Sequence, residues 1–231
     1  MNYFEVFFIG LLDGDGSLQV NHWRSQILQY RIVIKLKNTE ANFNMLTLLQ
    51  KNLNFGYVAV SKKKIFVLFL INNKTQINKC FILFKNYPPL TMRLRCQIVF
   101  MEQCLKYCDI TWYFSNRNLK YNINLENINY DTFYFKAWLS GFIEAEGCFT
   151  LRINSSKGNS FSIAQKNEKE LMHFIGVFFD KGLKVSVNKF NMYSISIYKK
   201  DILDFLSNHF VKFPLLGEKL VSFQNFKSHN N

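Results

Sequence analysis

The chain of 231 residues lacks the features that mark several common protein classes. Its five cysteines are odd in number and form no C-x-x-C pair, which argues against a disulfide framework or a zinc site. No apolar run approaches the roughly 18 residues of a membrane span, so we expect no membrane partner. The N-terminus has no charged region followed by an apolar stretch and a cleavage site, so we expect that the protein is not secreted.

Acidic residues and proline are scarce. The sequence has 16 Asp and Glu against 29 Lys and Arg, which gives a formal net charge of +13. A strongly cationic chain attracts polyanions, and since no basic amphipathic membrane helix is apparent, nucleic acid is the expected partner. With only 3 prolines, the chain is rich in Asn, Lys, Phe, Ile and Tyr, a bias typical of AT-rich codons. We therefore predict an organelle-encoded protein of the mitochondrion or chloroplast.

One segment of the sequence occurs twice. Residues 8–16 read FIGLLDGDG and residues 139–147 read LSGFIEAEG, so equivalent positions such as Phe8 and Leu139 differ by 131. Apolar residues at i, i+3, i+4 and i+7 predict that each copy is a helix ending in an acid-x-acid-Gly tail. Glycines at equivalent places in the two helices, Gly10 and Gly141, would let the helices approach each other closely.

The similarity between the two halves continues beyond the motif. After each acidic tail come stretches with strand periodicity, a helical pattern, a further pair of strands and a closing Pro-Leu element. Each half therefore reads α-β-β-α-β-β-α. We predict an α+β fold in which each repeat has an antiparallel, saddle-like sheet with helices on one face.

The predicted boundaries are an N-terminal repeat at 1–106, a linker at 107–130 and a C-terminal repeat at 131–231. Two tandem domains that share only a fold are the alternative to a fused pseudo-dimer. The pseudo-dimer is favoured because both motif helices are too apolar to face water on any side. Each helix is the best partner for the other, and we expect a monomer that acts as a pseudo-dimer.

The acidic tails indicate a divalent metal. Residues two apart lie about 200° around a helix, so only one acid in each tail can point toward the partner helix. A carboxylate at a helix C-terminus opposes the helix dipole, and two such groups repel each other. A cation such as Mg²⁺ would relieve both effects, since it accepts one or two carboxylates together with waters and phosphate oxygens.

These two segments resemble the LAGLIDADG motif, and the whole chain resembles a single-chain, double-motif LAGLIDADG homing endonuclease. The resemblance implies that the two sheets straddle double-stranded DNA. It implies two or three divalent ions, held by the last acids Asp15 and Glu146 with the neighbouring Gly14 and Ala145. Mg²⁺ is expected to support cleavage, and Ca²⁺ to support binding without cleavage. Asp13 and Glu144 would have a lesser structural or electrostatic role.

The implied reaction is hydrolysis of one phosphodiester in each strand of a long, asymmetric target. Arg93 and Lys219 each lie five positions after a proline and resemble the basic residues of the family's active sites. A phosphate clamp or a solvated surface cation is the alternative for each. Gln165 matches a polar active-site position, which Leu36 occupies in the first half.

Outward-facing strand residues would read bases in the major groove, although an ordinary solvated sheet face is the alternative for each one. Even steps along the predicted strands select Gln19, Asn21, Trp23, Gln29, Arg31, Lys35, Tyr57, Ser61, Thr150, Arg152, Asn154, Ser160, Ser162, Lys184, Ser186 and Asn188.

An intron-encoded RNA maturase, or a DNA-binding protein that no longer cuts, remains the alternative function because both can use this fold. Intact acids in both motifs favour cutting. Intron RNA is therefore kept as a possible second partner.

Overall fold

The computed structural model describes residues 1–123, 125, 127–152 and 159–228. The first half contains eight helices and strands: α1 (Tyr3–Asp15), β1 (Gly16–Trp23), β2 (Ile27–Lys37), α2 (Glu40–Leu53), β3 (Tyr57–Val60), β4 (Phe66–Ile71), α3 (Lys74–Asn86) and α4 (Met92–Tyr107). A short helix, α5 (Ile110–Asn116), follows. The second half repeats the order: α6 (Phe135–Glu146), β5 (Gly147–Thr150), β6 (Ser160–Lys166), α7 (Lys169–Phe179), β7 (Ser186–Val187), β8 (Met192–Ile197), α8 (Lys200–Lys212) and α9 (Glu218–Ser228).

The two halves have the same sheet topology. The strand orders are β1-β2-β4-β3 and β5-β6-β8-β7, and all neighbouring strands are antiparallel. In β2, Tyr30, Ile32 and Ile34 are buried, while Gln29 and Arg31 on the opposite face are exposed. One face of the sheet therefore covers the helices and the other is open to solvent. The predicted α+β fold with two repeated antiparallel sheets is confirmed.

Each half closes on two helices rather than on the single helix that the sequence predicted. Pro88 and Pro89 separate α3 from α4, and Pro214 separates α8 from α9. Proline has no backbone N–H and its ring clashes with the preceding turn, so one continuous helix cannot pass through these positions.

Strand β7 is shorter than predicted. The sequence pattern suggested a strand from Gly182 to Val187, but only Ser186 and Val187 pair with β8. The preceding residues form a turn instead, in which the Asp180 backbone oxygen accepts from the Leu183 N–H at 3.0 Å.

The segment 107–130, predicted as a linker, contains α5 and packs against the first half. Tyr113 of α5 is buried and donates its hydroxyl to the Val20 backbone oxygen at 3.1 Å. Gln97 of α4 donates to the Tyr121 hydroxyl at 2.9 Å and accepts from the Leu18 N–H at 2.8 Å. These contacts cover the outer edge of β1, which a bare linker would leave unpaired.

The motif helices α1 and α6 form the centre of the molecule. Every residue from Val6 to Asp13 is buried, as is every residue from Ala137 to Glu144. The helices cross at their glycines, where a Cβ added to Gly10 would lie 2.0 Å from the Trp138 backbone oxygen. A Cβ on Gly141 would lie 2.0 Å from the Phe7 backbone oxygen. Close packing of the two backbones therefore requires glycine on both helices.

Two tyrosines extend this contact between the halves. Tyr3, at the start of α1, donates its hydroxyl to the Pro214 backbone oxygen of the second half. Tyr134, which is 131 positions later, donates to the Pro88 backbone oxygen of the first half at 2.7 Å. Within the described residues, no helix is long and apolar enough to cross a membrane.

Candidate active site and nucleic-acid surface

The two acidic tails come together at one end of the helix pair. Helix α1 ends at Asp15 and α6 ends at Glu146, and both chains continue directly into a strand. A Cβ added to Gly14 would lie 2.3 Å from the Cβ of Ala145 and 3.2 Å from the Cγ of Glu146. Gly14 and Ala145 are therefore in direct contact, and their small size brings the two last acids close to each other.

The last acid of each motif is partly buried, and the charges around it shift its pKa. Burial raises the pKa of Asp15 to about 6, although the positive charges of Lys219 and Arg93 oppose the increase. Burial, followed by the negative charge of Asp15, raises the pKa of Glu146 to about 6. The negative charge of Asp15 therefore acts on the Glu146 carboxyl group across the helix pair.

The first acid of each motif is buried and caps another helix. Asp13 accepts hydrogen bonds from the Leu90 N–H at 2.8 Å, the Thr91 N–H at 3.2 Å and the Thr91 hydroxyl at 2.5 Å, at the beginning of α4. It also accepts from the Trp138 indole N–H at 2.7 Å, across the helix pair. Burial raises the pKa of Asp13, while these donors stabilise the charged form and lower it.

Glu144 has the equivalent position in the second half. Its carboxylate accepts from the backbone N–H groups of Leu216, Gly217 and Lys219 at 3.1, 3.1 and 2.8 Å, at the beginning of α9. Both first acids thus satisfy helix N-termini that carry a positive partial charge. These contacts agree with the structural role expected for Asp13 and Glu144. The last acids, Asp15 and Glu146, do not cap a helix in this way and remain available to bind a cation.

Arg93 contacts the end of the first motif helix. Its guanidinium donates to the Gly16 backbone oxygen at 2.7 Å, the Asp13 oxygen at 2.5 Å and the Gly14 oxygen at 3.2 Å. The Asp13 and Gly14 carbonyl groups belong to the last turn of α1, where no N–H group further along the helix can donate to them, and Gly16 is the residue that follows the helix. Arg93, which resembles a basic active-site residue of the family, therefore holds the backbone that carries Asp15.

Lys219 and Gln165 complete the surroundings of the two last acids. The Lys219 charge lowers the pKa of both Asp15 and Glu146, which places its ammonium group within electrostatic range of both. The Gln165 side chain hydrogen-bonds to Glu146 and lowers its pKa further. Its equivalent in the first half, Leu36, is buried and cannot make such a bond.

The donor set fits a hard divalent cation only in part. Asp15 and Glu146 supply two converging carboxylates, and Mg²⁺ needs further oxygen ligands from water or phosphate. In the part of the chain that the structure describes, no group of three or more His, Cys, Asp or Glu side chains could hold a metal alone. The Gly14 carbonyl, a predicted ligand, already accepts from Arg93, although a carbonyl oxygen has a second lone pair.

Most of the predicted base-reading residues lie on the open faces of the two sheets. Thirteen of the sixteen are at least partly exposed and lie in the strands or next to them: Gln19, Asn21, Trp23, Gln29, Arg31, Lys35, Tyr57, Ser61, Thr150, Arg152, Ser162, Lys184 and Ser186. Their contact with DNA stays a prediction. Their side chains are polar or basic, except for aromatic Trp23 and Tyr57.

Four predicted positions differ from simple outward strand residues. Ser160 is only 3% exposed, so it does not present a free hydroxyl to the open face. Ser61 lies in the β3–β4 turn, where its hydroxyl accepts from the Phe66 N–H at 3.1 Å. Asn188 is exposed but stabilises the β7–β8 turn through bonds from two backbone N–H groups. Asn154 lies outside the described residues.

The sequence interpretation missed polar residues on β8. Ser194 and Ser196 lie on the open face, and Ser196 pairs directly with Ser162 of β6. Alternation of these serines with Ile195 and Ile197 is a strand signal that was available in the sequence. It also missed two buried polar residues near the active site, Asn42 and Glu168, which no sequence pattern distinguishes.

Comparison with known proteins agrees with this geometry. The chain is 42% identical over 229 residues to a "Probable intron-encoded endonuclease aI3" of Dictyostelium citrinum, covering 96% of this chain and 93% of that one. It is 40% identical to a protein of the same name from Debaryomyces hansenii, covering 97% of this chain but spanning only 38% of that relative's length.

Among solved structures, I-SmaMI bound to an uncleaved DNA target in the presence of calcium ions superposes with a TM-score of 0.76. The identity is 15%, and the alignment covers 99% of this chain and 90% of that one, so this match supports the fold. The family model described as LAGLIDADG endonuclease matches residues 8–104 and 139–230, which include the acidic tails of both motif helices and both sheets. The chain therefore belongs to the LAGLIDADG endonuclease family.

Proposed function

We propose that this protein is a site-specific homing endonuclease that hydrolyses one phosphodiester in each strand of a long, asymmetric DNA target. The observation that carries the proposal is the pair Asp15 and Glu146, two partly buried carboxylates at the adjoining ends of α1 and α6. Two open sheet faces with polar and basic side chains extend from this point. The endonuclease names of the relatives support the same activity.

Each active-site residue has a distinct task in this proposal. Asp15 and Glu146 hold the divalent ions, and Gln165 orients the Glu146 carboxylate through its hydrogen bond. Arg93 fixes the backbone at the end of α1, so that Asp15 keeps its position when a phosphate approaches. Lys219 provides positive charge near both acids and offsets charge that develops on the phosphate.

We propose Mg²⁺ as the metal of the reaction, with two or three ions bound when DNA is present. A bound Mg²⁺ polarises the scissile phosphate and lowers the pKa of an attacking water. The carboxyl groups must be ionised to hold it, and the raised pKa values of about 6 leave both largely ionised at pH 7 to 8. Ca²⁺ is expected to support binding without cleavage, consistent with the relative whose DNA was uncleaved with calcium ions present.

Recognition of the target would be shared unequally between the two sheets. The first sheet presents long side chains such as Gln19, Gln29 and Arg31, whereas the second presents short hydroxyl groups at Ser162, Ser194 and Ser196. Because equivalent positions carry different residues, the two half-sites of the target must also differ. We further propose that the protein is encoded by an organellar intron and acts there as a monomer.

The proposal is tested by selecting cleaved sites from a randomised double-stranded DNA library with Mg²⁺. We expect recovery of one asymmetric site, and linearisation of a plasmid that carries it. Absence of any cleavage, together with an increase in intron splicing on addition of the protein, would instead assign the chain to the RNA maturases.

A further inference from the structure

The beginning of α4 is bonded to residues of both halves. The first N–H groups of a helix have no partner inside the helix and need outside acceptors. Asp13 of the first half accepts from the Thr91 N–H. Glu168 of the second half accepts from the Arg93 N–H at 3.3 Å, and the neighbouring Met92 N–H lies close enough to stabilise the same carboxylate. Glu168 is only 4% exposed, so water does not replace it as an acceptor.

The beginning of α9 has the reciprocal arrangement. Glu144 of the second half accepts from the N–H groups of Gly217 and Lys219. The intervening N–H, that of Glu218, donates at 3.1 Å to the Asn42 side-chain oxygen of the first half. Asn42 is 6% exposed. Each helix that carries an active-site cation is therefore held at its N-terminus by one residue of its own motif and one residue of the opposite half.

We propose that Glu168 and Asn42 are positioning residues, through which each half of the molecule places the active-site cation of the other half. Glu168 holds the turn that carries Arg93, and Asn42 holds the turn that carries Lys219. This inference rests on the proposed nuclease function, since its consequence is a change in the rate at which one DNA strand is cut.

At both contacts the side chain acts as a hydrogen-bond acceptor, and its charge is not required. Burial raises the pKa of Glu168 to about 8, although N–H donation from Arg93 and Met92 opposes that increase. A residue that retains an acceptor oxygen at this position should therefore suffice. Glu168→Gln keeps an acceptor, whereas Glu168→Ala and Asn42→Ala remove it.

The test measures cleavage of each DNA strand separately, on a target labelled at either 5′ end. We expect Glu168→Ala to slow, by about 10- to 100-fold, the same strand that Arg93→Lys slows, since misplacement by about 1 Å can cost that much. Asn42→Ala should slow the strand that Lys219→Arg slows. Glu168→Gln should stay within a few-fold of the wild type. Equal slowing of both strands, or no slowing of either, would overturn the proposal.

Amide hydrogen exchange of the free protein provides a second test that needs no cleavage. The Met92 and Arg93 amides should exchange faster in Glu168→Ala but not in Glu168→Gln. Unchanged protection in Glu168→Ala would overturn the proposed contact even if the protein cuts DNA. A wild-type protein that cuts no DNA, but shows the predicted exchange, would contradict the nuclease function and leave the contact established.

Discussion

Trp138 of α6 donates its indole N–H to the buried Asp13 carboxylate of α1 at 2.7 Å, so one motif supplies a hydrogen bond to the acid of the other. The pseudo-symmetric position of Trp138 in α1 is Phe7, which has no donor. Glu144 instead receives three backbone N–H bonds. The two motifs therefore satisfy their first acids in different ways, although the backbones are equivalent.

Removing this indole donor should destabilise the protein. We expect Trp138→Phe to lower the free energy of unfolding by about 1.5 to 3 kcal/mol, because hydrogen bonds to charged groups contribute that much when buried. Urea unfolding provides the measurement. Trp112→Phe is the matched control, since Trp112 is half-buried and stacks on Phe100. Equal losses in the two variants would show that ring size, rather than the bond to Asp13, explains the effect.

The glycines at the helix crossing should not tolerate a methyl group. A Cβ at Gly10 or Gly141 would lie 2.0 Å from a backbone oxygen of the partner helix, and no side chain can move to relieve this contact. We expect Gly10→Ala and Gly141→Ala each to cost about 3 kcal/mol or more in unfolding free energy. Gly182→Ala is the control, because the nearest atom there is an Asp180 carboxylate oxygen at 3.5 Å. A loss below about 1 kcal/mol at Gly10 would contradict the observed helix spacing.

The fold could be predicted because its signals are local or repeated. The sequence alone reveals the helical spacing in the motifs and the strand alternation around Ile32 and Ile34. It also reveals that both patterns occur twice. The pairing of equivalent residues also follows, since Leu36 of β2 and Gln165 of β6 each lie one position before the last residue paired with β4 and β8, respectively. The number of closing helices, the short length of β7 and the content of 107–130 required the structure.

The chemistry of the site could be predicted less completely. The last acids were identifiable because each ends a motif. The contacts of Arg93 with the carbonyl groups of α1 were not, since they join residues more than 75 positions apart. Glu168 is likewise placed by packing between the two halves, and its neighbours in sequence give no indication of a buried site. Long-range contacts of this kind leave no periodic signal.

Stability of the metal-free protein should decrease as pH rises. Asp15 and Glu146 have folded-state pKa values of about 6, above the ordinary values of 3.8 and 4.5. An acid with a raised folded-state pKa contributes stability that is fully present below its unfolded pKa, and this contribution is lost as pH rises through the folded value. The affected window for these two groups is therefore about pH 4 to 6.

The measurement compares the wild type with the Asp15→Asn/Glu146→Gln double variant by chemical unfolding at pH 4 and pH 7. When the pH rises from 4 to 7, the free energy of unfolding of the double variant should increase by on the order of 2 kcal/mol relative to that of the wild type. Adding Ca²⁺ at pH 7 should restore the wild type, because a cation stabilises the ionised carboxylates. If the double variant shows no such relative increase, burial does not raise the pKa values of the two acids.

DNA binding should depend steeply on salt. A protein that makes 6 to 10 phosphate contacts loses roughly 10³- to 10⁵-fold in affinity between 50 and 200 mM salt, since it displaces counterions. We expect a slope of this size with Ca²⁺ present, and a smaller slope for Arg31→Gln on the open face of β2. Lys85→Gln is the control, because Lys85 is exposed on α3 in the helix layer. Equal slopes for the two variants would contradict the proposed DNA face.

The most direct test of the composite active site is strand-resolved cleavage of the selected target by Asp15→Asn and Glu146→Gln, each made alone. Because the two carboxylates lie at adjoining helix ends and together hold the metal ions in the proposed site, each single variant should abolish cleavage of both strands. Affinity for the DNA in Ca²⁺ should change by only a few-fold. A single variant that still cuts one strand at the wild-type rate would contradict the account and show two independent sites.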